Sequence, residues 1–263
     1  KHQITPLFEE SRLCTSPFTH IVGRLDPSLT TLLVESGQDA STGELCLYGQ
    51  GQRRQVQGSA TTSLRDPLVA LARHPDLRTF VIEHSEEALG MSLKNKNITI
   101  HARRCVDESE YFLSPHADCP KTICALLIYL WNGQRGTSLY RLAFHNEMPP
   151  MPEPGLRQRL NNFHGNDEYE RANLDVVTRL KPDCFAYYEH VKLVRPIPGT
   201  FLFLPNTRFS GALPDLPQSH HGVASRASAL PSPERRHLVL IDVKLTNADR
   251  KSTRLNSSHL VIS

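Results

Sequence analysis

The chain has 263 residues, enough for one large domain or two small ones, and its 39% apolar content is ordinary for a globular protein. Its formal net charge is only +3, and no basic run is interleaved with aromatic residues, so we expect no nucleic-acid partner. No stretch approaches the roughly 18 consecutive apolar residues that span a membrane, and no signal segment opens the sequence. We therefore expect a cytoplasmic protein that does not bind membranes.

Six cysteines are spread along the chain. None forms a C-x-x-C pair, and their spacing fits neither a zinc site nor a disulfide framework. We expect reduced thiols, as in most cytoplasmic proteins.

The segment 249–263 resembles a translated sequencing adapter and is set aside as a non-biological tail, which leaves a single domain over residues 1–248.

The N-terminal third predicts helices that buttress a sheet, over about residues 24–93. Asp26-Pro-Ser28 is typical of a helix start, because Asp caps a helix and Pro fits its first turn. Apolar residues recur at helical spacing again between 66 and 93. Residues 37–63 are rich in Gly, Ser, Thr and Gln and predict mostly loop, with a short strand at 45–48.

From residue 97 the pattern changes to short strands separated by turns. The run 122–130 is almost wholly apolar, as expected of a strand buried on both faces. Strands are predicted at 17–22, 98–102, 111–113, 122–130, 136–144, 185–194, 200–204, 220–223 and 235–245. Together these patterns predict a mostly β fold, a double-stranded β-helix (jelly roll) with its core at about 95–245 and the N-terminal helices packed on the outside. An insertion at 148–183 is typical of a lid or a substrate loop.

His116 and Asp118 stand two residues apart, just before the apolar run. In a strand, residues i and i+2 point to the same face, so this spacing can aim an imidazole and a carboxylate at one point. With one remote histidine, the pair would form the 2-His-1-carboxylate site that holds Fe(II) and leaves coordination positions open. An H-x-D pair alone is a weak signal, because most such pairs lie on the surface.

The best candidate for the third ligand is His221, in a short strand far downstream. His220 and His221 point to opposite faces of an extended segment, so only one of them can face a site. The order His-Gly-Val favours His221. His164 is a rival, but it lies in a polar, Asn-rich segment, and His101 and His145 have no partner at useful spacing.

Arg235 opens a strongly apolar strand, where a guanidinium is costly unless it meets an anion. A buried dicarboxylate, bound through two parallel hydrogen bonds, would be such an anion. The alternative is that Arg235 and Arg236 simply cap the strand in solvent.

Taken in this order, the motifs resemble those of the iron(II)/2-oxoglutarate-dependent dioxygenases, and in particular the prolyl-hydroxylase-like bacterial proteins. The resemblance covers about residues 95–245. The segments that carry it are 17–22, 115–120, 126–130, 136–140, 198–206, 221–223 and 235–238.

The resemblance implies that His116, Asp118 and His221 bind Fe(II). It also implies that Arg235 holds the distal carboxylate of 2-oxoglutarate and that Tyr129 donates a hydrogen bond to the same group. With O2, such a protein hydroxylates or otherwise oxidises a small-molecule or peptidyl substrate and releases succinate and CO2.

Two positions leave alternatives open. Tyr129 could instead be a packed core residue with its hydroxyl at the rim. His237 stands where this family usually has a small or hydroxylated residue, two positions after the arginine, so Arg236 remains a second candidate.

A jelly-roll oxygenase that does not use 2-oxoglutarate, and a non-catalytic jelly-roll binding protein, are the alternative functions. Neither the substrate nor the oligomeric state is predicted.

Overall fold

The computed structural model of the chain describes residues 7–36, 44–46, 53–57, 66–108, 111, 113–142, 188–213, 216–217, 219–223 and 235–246. Its helices are α1 (Pro27–Glu35), α2 (Pro67–Ala72) and α3 (Pro75–Leu89). Its strands are β1 (Phe8–Cys14), β2 (His20–Leu25), β3 (Glu44–Cys46), β4 (Arg53–Gln57), β5 (Ile98–Asp107), β6 (Leu113–His116), β7 (Thr122–Tyr129), β8 (Thr137–Leu142), β9 (Tyr188–Val194), β10 (Thr200–Pro205), β11 (His221–Val223) and β12 (Arg236–Leu245). The predicted insertion at 148–183, the tail at 249–263, His145 and His164 lie outside the described residues.

Within the described residues the strands form two antiparallel sheets. The larger sheet has the order β1-β2-β10-β7-β12-β5-β4-β3, and the smaller has the order β6-β11-β8-β9. From β5 onward the chain passes back and forth between them: β5, β7, β10 and β12 lie in the larger sheet, while β6, β8, β9 and β11 lie in the smaller. This connectivity is that of a double-stranded β-helix, so the predicted fold class is confirmed.

The central strands of the larger sheet carry apolar residues on both faces, because the sheet is covered on both sides. Its inner face meets the smaller sheet, where Leu127 and Leu238 pack with Leu139 of β8 and Val194 of β9. Its outer face meets the helices in a cluster that contains Leu33, Leu71, Leu77, Phe80, Phe203, Val239 and Ile241. The strand β7 is buried along its whole length, as its apolar run predicts.

The three helices begin in the same way, with a capping side chain followed by proline. The Asp26 carboxylate accepts from the Leu29 backbone N–H, and the Asp66 carboxylate accepts from that of Leu68. His74 caps α3, which ends at Gly90 with a φ of 62°, a left-handed conformation that glycine adopts without strain. The helix positions read from the sequence are therefore confirmed, and the helices pack on the outside of the sheet.

Two strands were not predicted, β1 and β4. The strand β1 is an edge strand with mostly exposed residues, so it lacks the apolar alternation that marks a half-buried strand. The strand β4 carries the polar sequence RRQVQ within a segment predicted to be mostly loop. It pairs with β5 and brings Arg53 to the inner face of the sheet, opposite Asp107.

No helix within the described ranges is long and apolar enough to cross a membrane. The thiols of Cys14, Cys105, Cys119 and Cys124 are free.

Candidate metal centre

The register of two short strands brings together histidines that are far apart in the sequence. β6 and β11 pair in the smaller sheet, and His116 lies directly opposite His221. Opposed residues of an antiparallel pair project from the same face, so both imidazoles point to the same side. Their ring centroids are 4.4 Å apart, and both residues are buried.

Asp118 joins the two histidines, two residues after His116 at the end of β6. Its Oδ1 atom lies 3.9 Å from Nε2 of His221. One ligand atom from each of the three residues lies within 4.8 Å of the other two. The three groups are therefore close enough together to be candidate ligands of one ion.

A backbone carbonyl sets the orientation of the His221 ring. Nδ1 of His221 lies 3.1 Å from the carbonyl oxygen of Ser219. In the Nδ1-protonated tautomer, Nδ1–H donates to that oxygen and the lone pair of Nε2 is directed at Asp118. This is the tautomer that a histidine binding a metal through Nε2 requires. His220 points the other way and packs against Tyr188, with ring centroids 5.0 Å apart, whereas His101 is exposed.

Asn206, at the end of β10, holds the loop that carries Asp118. Its buried amide Nδ2 donates to the carbonyl oxygens of Cys119 and Thr122, at 2.7 and 2.8 Å, and lies 3.4 Å from that of Asp118. Its Oδ1 accepts from the backbone N–H of Arg208 at 3.1 Å. The position of Asp118 is therefore fixed by a neighbouring strand as well as by β6.

The electrostatic environment of Asp118 favours a bound cation. Burial raises the pKa of its carboxyl group, and the nearby charge of Asp242 acts in the same direction. His221 and Arg103 act in the opposite direction and lower this pKa. A metal ion beside the carboxylate would remove the cost of keeping it charged in this site. Two imidazoles and one carboxylate are also the donor set that leaves positions open on Fe(II).

Arg235, the residue expected to hold the distal carboxylate, does not face the space between the two sheets. The Arg235 side chain is 64% exposed and forms an ion pair with Glu108 at 2.8 Å. Its neighbour Arg236 is fully buried on the inner face of β12, the face that also carries Leu238. Successive residues of a strand point to opposite faces, so only one of the two arginines can face the space between the sheets.

Arg236 has hydrogen-bonding capacity that the described residues do not use. Its Nη1 donates to Asp107 at 2.9 Å, while its Nε and Nη2 have no partner among the described residues. Its guanidinium lies over the Trp131 ring, 5.7 Å from the centroid. Buried donors without an acceptor are costly, which indicates that this end of the inner space takes an anionic or carbonyl group.

The Tyr129 hydroxyl belongs to the same region. Tyr129 is fully buried and lies opposite Leu238 in the β7–β12 pair. By geometry, neither its hydroxyl nor that of Thr137 has a hydrogen-bond partner among the described residues. Burial raises the pKa of Tyr129, while Thr137 and the charge of Arg236 lower it, so these three groups lie close together.

Sequence reasoning missed the polar groups that support these side chains: Arg53, Asp107, Thr137 and Asn206. Each comes from a strand or strand end whose pairing is not visible in the sequence. One signal was available for Asn206, because a polar residue that follows a fully apolar strand and a proline is a candidate for a turn or a cap.

No family model and no curated protein matches the chain. Among solved structures, a prolyl-4-hydroxylase from Pseudomonas putida is 11% identical with a TM-score of 0.48, and the match covers 86% of this chain and 92% of that one. HygX from Streptomyces hygroscopicus, with nickel and 2-oxoglutarate bound, is 14% identical with a TM-score of 0.48, over 86% and 83% of the two chains. The epimerase SnoN, in complex with Fe3+, alpha ketoglutarate and nogalamycin RO, is 14% identical with a TM-score of 0.48, and the match covers 86% of this chain and 78% of that one. At these identities, and with TM-scores below 0.5, the matches assign no function to the chain.

Proposed function

We propose that the protein is an Fe(II)- and 2-oxoglutarate-dependent dioxygenase that oxidises a small-molecule or peptidyl substrate. One observation carries the proposal. Three potential metal ligands lie within 4.8 Å of one another, and a buried arginine on the inner face of the larger sheet has two unused donor atoms. A co-substrate with a chelating end and a carboxylate end matches that pair of features.

In this proposal His116, Asp118 and His221 hold the metal. All three lie on the smaller sheet or just after one of its strands, and two imidazoles with one carboxylate would leave coordination positions of the ion open. The Nδ1–H of His221, donating to Ser219, keeps Nε2 available for the ion. When bound there, iron together with 2-oxoglutarate supplies the oxidation of a substrate by O2, with release of succinate and CO2.

Arg236 and Tyr129 would hold the distal carboxylate of the co-substrate. A guanidinium presents two parallel N–H donors to a carboxylate, and Nε and Nη2 of Arg236 are the free pair. The Tyr129 hydroxyl would donate to the same group. Leu127, Leu139 and Leu238 belong to the same apolar cluster as Tyr129 and would keep water away from this end, which would strengthen these polar interactions.

The test is anaerobic addition of Fe(II) to the metal-free protein, with and without 2-oxoglutarate. A visible metal-to-ligand charge-transfer band is expected only when both are present. The variant His116→Ala should show no band, and His101→Ala, which changes an exposed histidine, should retain it. Absence of the band in folded protein, both in the full chain and after removal of residues 249–263, would rule out the proposal.

An oxygenase with the same metal ligands that does not use 2-oxoglutarate remains the alternative function. It predicts tight Fe(II) binding that 2-oxoglutarate does not change. Calorimetric titration of 2-oxoglutarate into the Fe(II)-loaded protein distinguishes the two, because only the dioxygenase proposed here gives saturable binding.

A further inference from the structure

Three charged side chains form a buried row across the inner face of the larger sheet. In the strand register, Asp107 of β5 lies opposite Arg53 of β4 on one side and opposite Arg236 of β12 on the other. Asp107 and Arg236 are fully buried, and Arg53 is 5% exposed. Side chains at this depth are almost never charged unless they are paired, so the row needs an explanation.

The carboxylate of Asp107 is shared unequally between the two arginines. Arg53 binds both of its oxygens, with Nε donating to Oδ1 and Nη2 donating to Oδ2 at 2.9 Å. Arg236 reaches only Oδ2, through Nη1 at 2.9 Å. Arg53 is held in this position from the other side by the Tyr111 ring, whose centroid lies 4.4 Å from the guanidinium carbon.

The charge balance of the row follows from these contacts. Two guanidiniums against one carboxylate leave one positive charge in excess. Burial alone lowers the pKa of Arg53, but the charge of Asp107 beside it raises that pKa well above its usual value, so Arg53 stays charged. The next carboxylate along the chain, Glu108, is paired with Arg235 on the outer side and does not compensate the excess.

Without Arg53, Asp107 and Arg236 would form a neutral pair. Arg236 would still have free Nε and Nη2 atoms, but its charge would be offset by the adjacent carboxylate. Buried charges act strongly over short distances, so this difference matters for any anion that approaches Arg236.

We propose that Arg53 is a positioning residue that neutralises the charge of Asp107. The positive charge of Arg236 is then not offset and can attract the distal carboxylate of the co-substrate. Arg53 does not contact the co-substrate itself. By pairing with both oxygens of Asp107, it gives the protein a preference for a 2-oxo acid that carries a second carboxylate. This inference rests on the proposed function.

The test compares two variants that both donate hydrogen bonds to Asp107 but differ in charge, Arg53→Gln and Arg53→Lys. Each is loaded anaerobically with Fe(II) and titrated with 2-oxoglutarate and with 2-oxopentanoate, which has the same carbon chain but no distal carboxylate. The charge-transfer band and calorimetry report binding, and thermal unfolding reports folding. Arg53→Gln should bind 2-oxoglutarate about tenfold more weakly or worse, with less than a twofold change for 2-oxopentanoate. Arg53→Lys should stay within about threefold of the wild type for both.

A purely structural role for Arg53 would weaken the binding of both acids alike, and that result would overturn the inference. Unchanged binding of 2-oxoglutarate by Arg53→Gln would also overturn it. If Arg53→Gln does not fold, Arg53→Lys still decides, because a lysine that lost the preference for 2-oxoglutarate would contradict a role based on charge. Wild-type protein without a 2-oxoglutarate-dependent band would instead refute the proposed function, and this inference with it.

Discussion

Arg235 and Arg236 are neighbours in the chain but lie on opposite sides of the larger sheet. The Arg235 side chain is 64% exposed and paired with Glu108, while the Arg236 side chain is fully buried and paired with Asp107. The two arginines therefore form a natural matched pair for experiment, since the same substitution removes the same charge on either side of one strand.

We expect Arg236→Gln to weaken 2-oxoglutarate binding by about a hundredfold or more and Arg235→Gln to change it by less than twofold. A charge-assisted hydrogen bond contributes about 1.5–3 kcal/mol, and Arg236 would make two of them. Asp107 keeps Arg53 as a partner in Arg236→Gln, so the buried carboxylate is not left unpaired. Titration of the Fe(II)-loaded variants with 2-oxoglutarate checks the prediction, and equal losses in both variants would contradict it.

His221→Ala should lower the affinity for Fe(II) about a hundredfold or more, because it removes one of three clustered donor groups. Metal should also no longer stabilise this variant against unfolding. In the wild type, metal at a concentration about 100 times its Kd should raise the free energy of unfolding by about 2.7 kcal/mol. His101→Ala, with an exposed histidine, is the control and should behave as wild type. Retained metal-dependent stabilisation in His221→Ala would exclude this histidine as a ligand.

Asn206→Ala should reduce metal affinity about tenfold although Asn206 is not a ligand. Its amide holds the loop after Asp118 through the Cys119 and Thr122 carbonyl oxygens, and the variant leaves those acceptors without this donor. We expect a loss of about 1–3 kcal/mol in the free energy of unfolding of the metal-free protein.

The control for Asn206 is Leu33→Ala, in the helix α1 on the outer face of the sheet. This side chain is fully buried, so its truncation should cost about 2–5 kcal/mol. It lies in the cluster on the side away from the metal ligands, and metal affinity should not change. If both variants lose metal affinity in proportion to their stability, Asn206 has no specific role in positioning Asp118.

These residues show which parts of the site could be read from the sequence. His116 and Asp118 were accessible because their two-residue spacing is meaningful in a strand, and the structure places both near His221. The choice between Arg235 and Arg236 was not accessible from β12 itself. That strand is apolar on both faces, since Leu238 faces the smaller sheet and Val239 faces the helices, so no alternation marks the inner side.

The fold was predictable to a similar degree. The core strands and the helices follow from apolar runs, from helical spacing and, for α1 and α2, from Asp-Pro starts, which are local signals. The strand β4 gives no such signal, because its polar sequence becomes a strand only through pairing with β5. Arg53 was therefore missed together with the strand that carries it.

Tyr129→Phe should weaken 2-oxoglutarate binding about three- to tenfold, the value of about one hydrogen bond. Burial raises the pKa of Tyr129, and Thr137 and Arg236 only partly oppose this. A raised pKa means that the hydroxyl keeps its proton to higher pH than a free tyrosine, whose pKa is about 10. The ratio of wild-type to variant affinity should thus stay constant between about pH 6 and 9. A decrease of this ratio as the pH rises would show that Tyr129 ionises in that pH range.

The four cysteines whose side chains the structure describes should divide into two reactivity classes. Burial raises the pKa of Cys105 to about 11 and that of Cys124 to about 12, so both stay as thiols at neutral pH, and both are shielded from solvent. Cys14 and Cys119 are only partly buried. Brief treatment of the native protein with iodoacetamide at about pH 8, followed by peptide mass spectrometry, should label Cys14 and Cys119 and spare the other two, because the thiolate is the reactive form. Fast labelling of Cys105 or Cys124 would contradict this packing.

The short strand β11 inserts between β6 and β8, which both precede it by a long stretch of sequence. Pairing over such a distance carries a large loop-closure entropy, so it is expected late in folding rather than early. His221 enters the cluster only when this insertion is complete, opposite His116 on one side and Leu139 on the other. Metal binding would then depend on a late step of folding, and it should slow hydrogen exchange at the amide of Gly222.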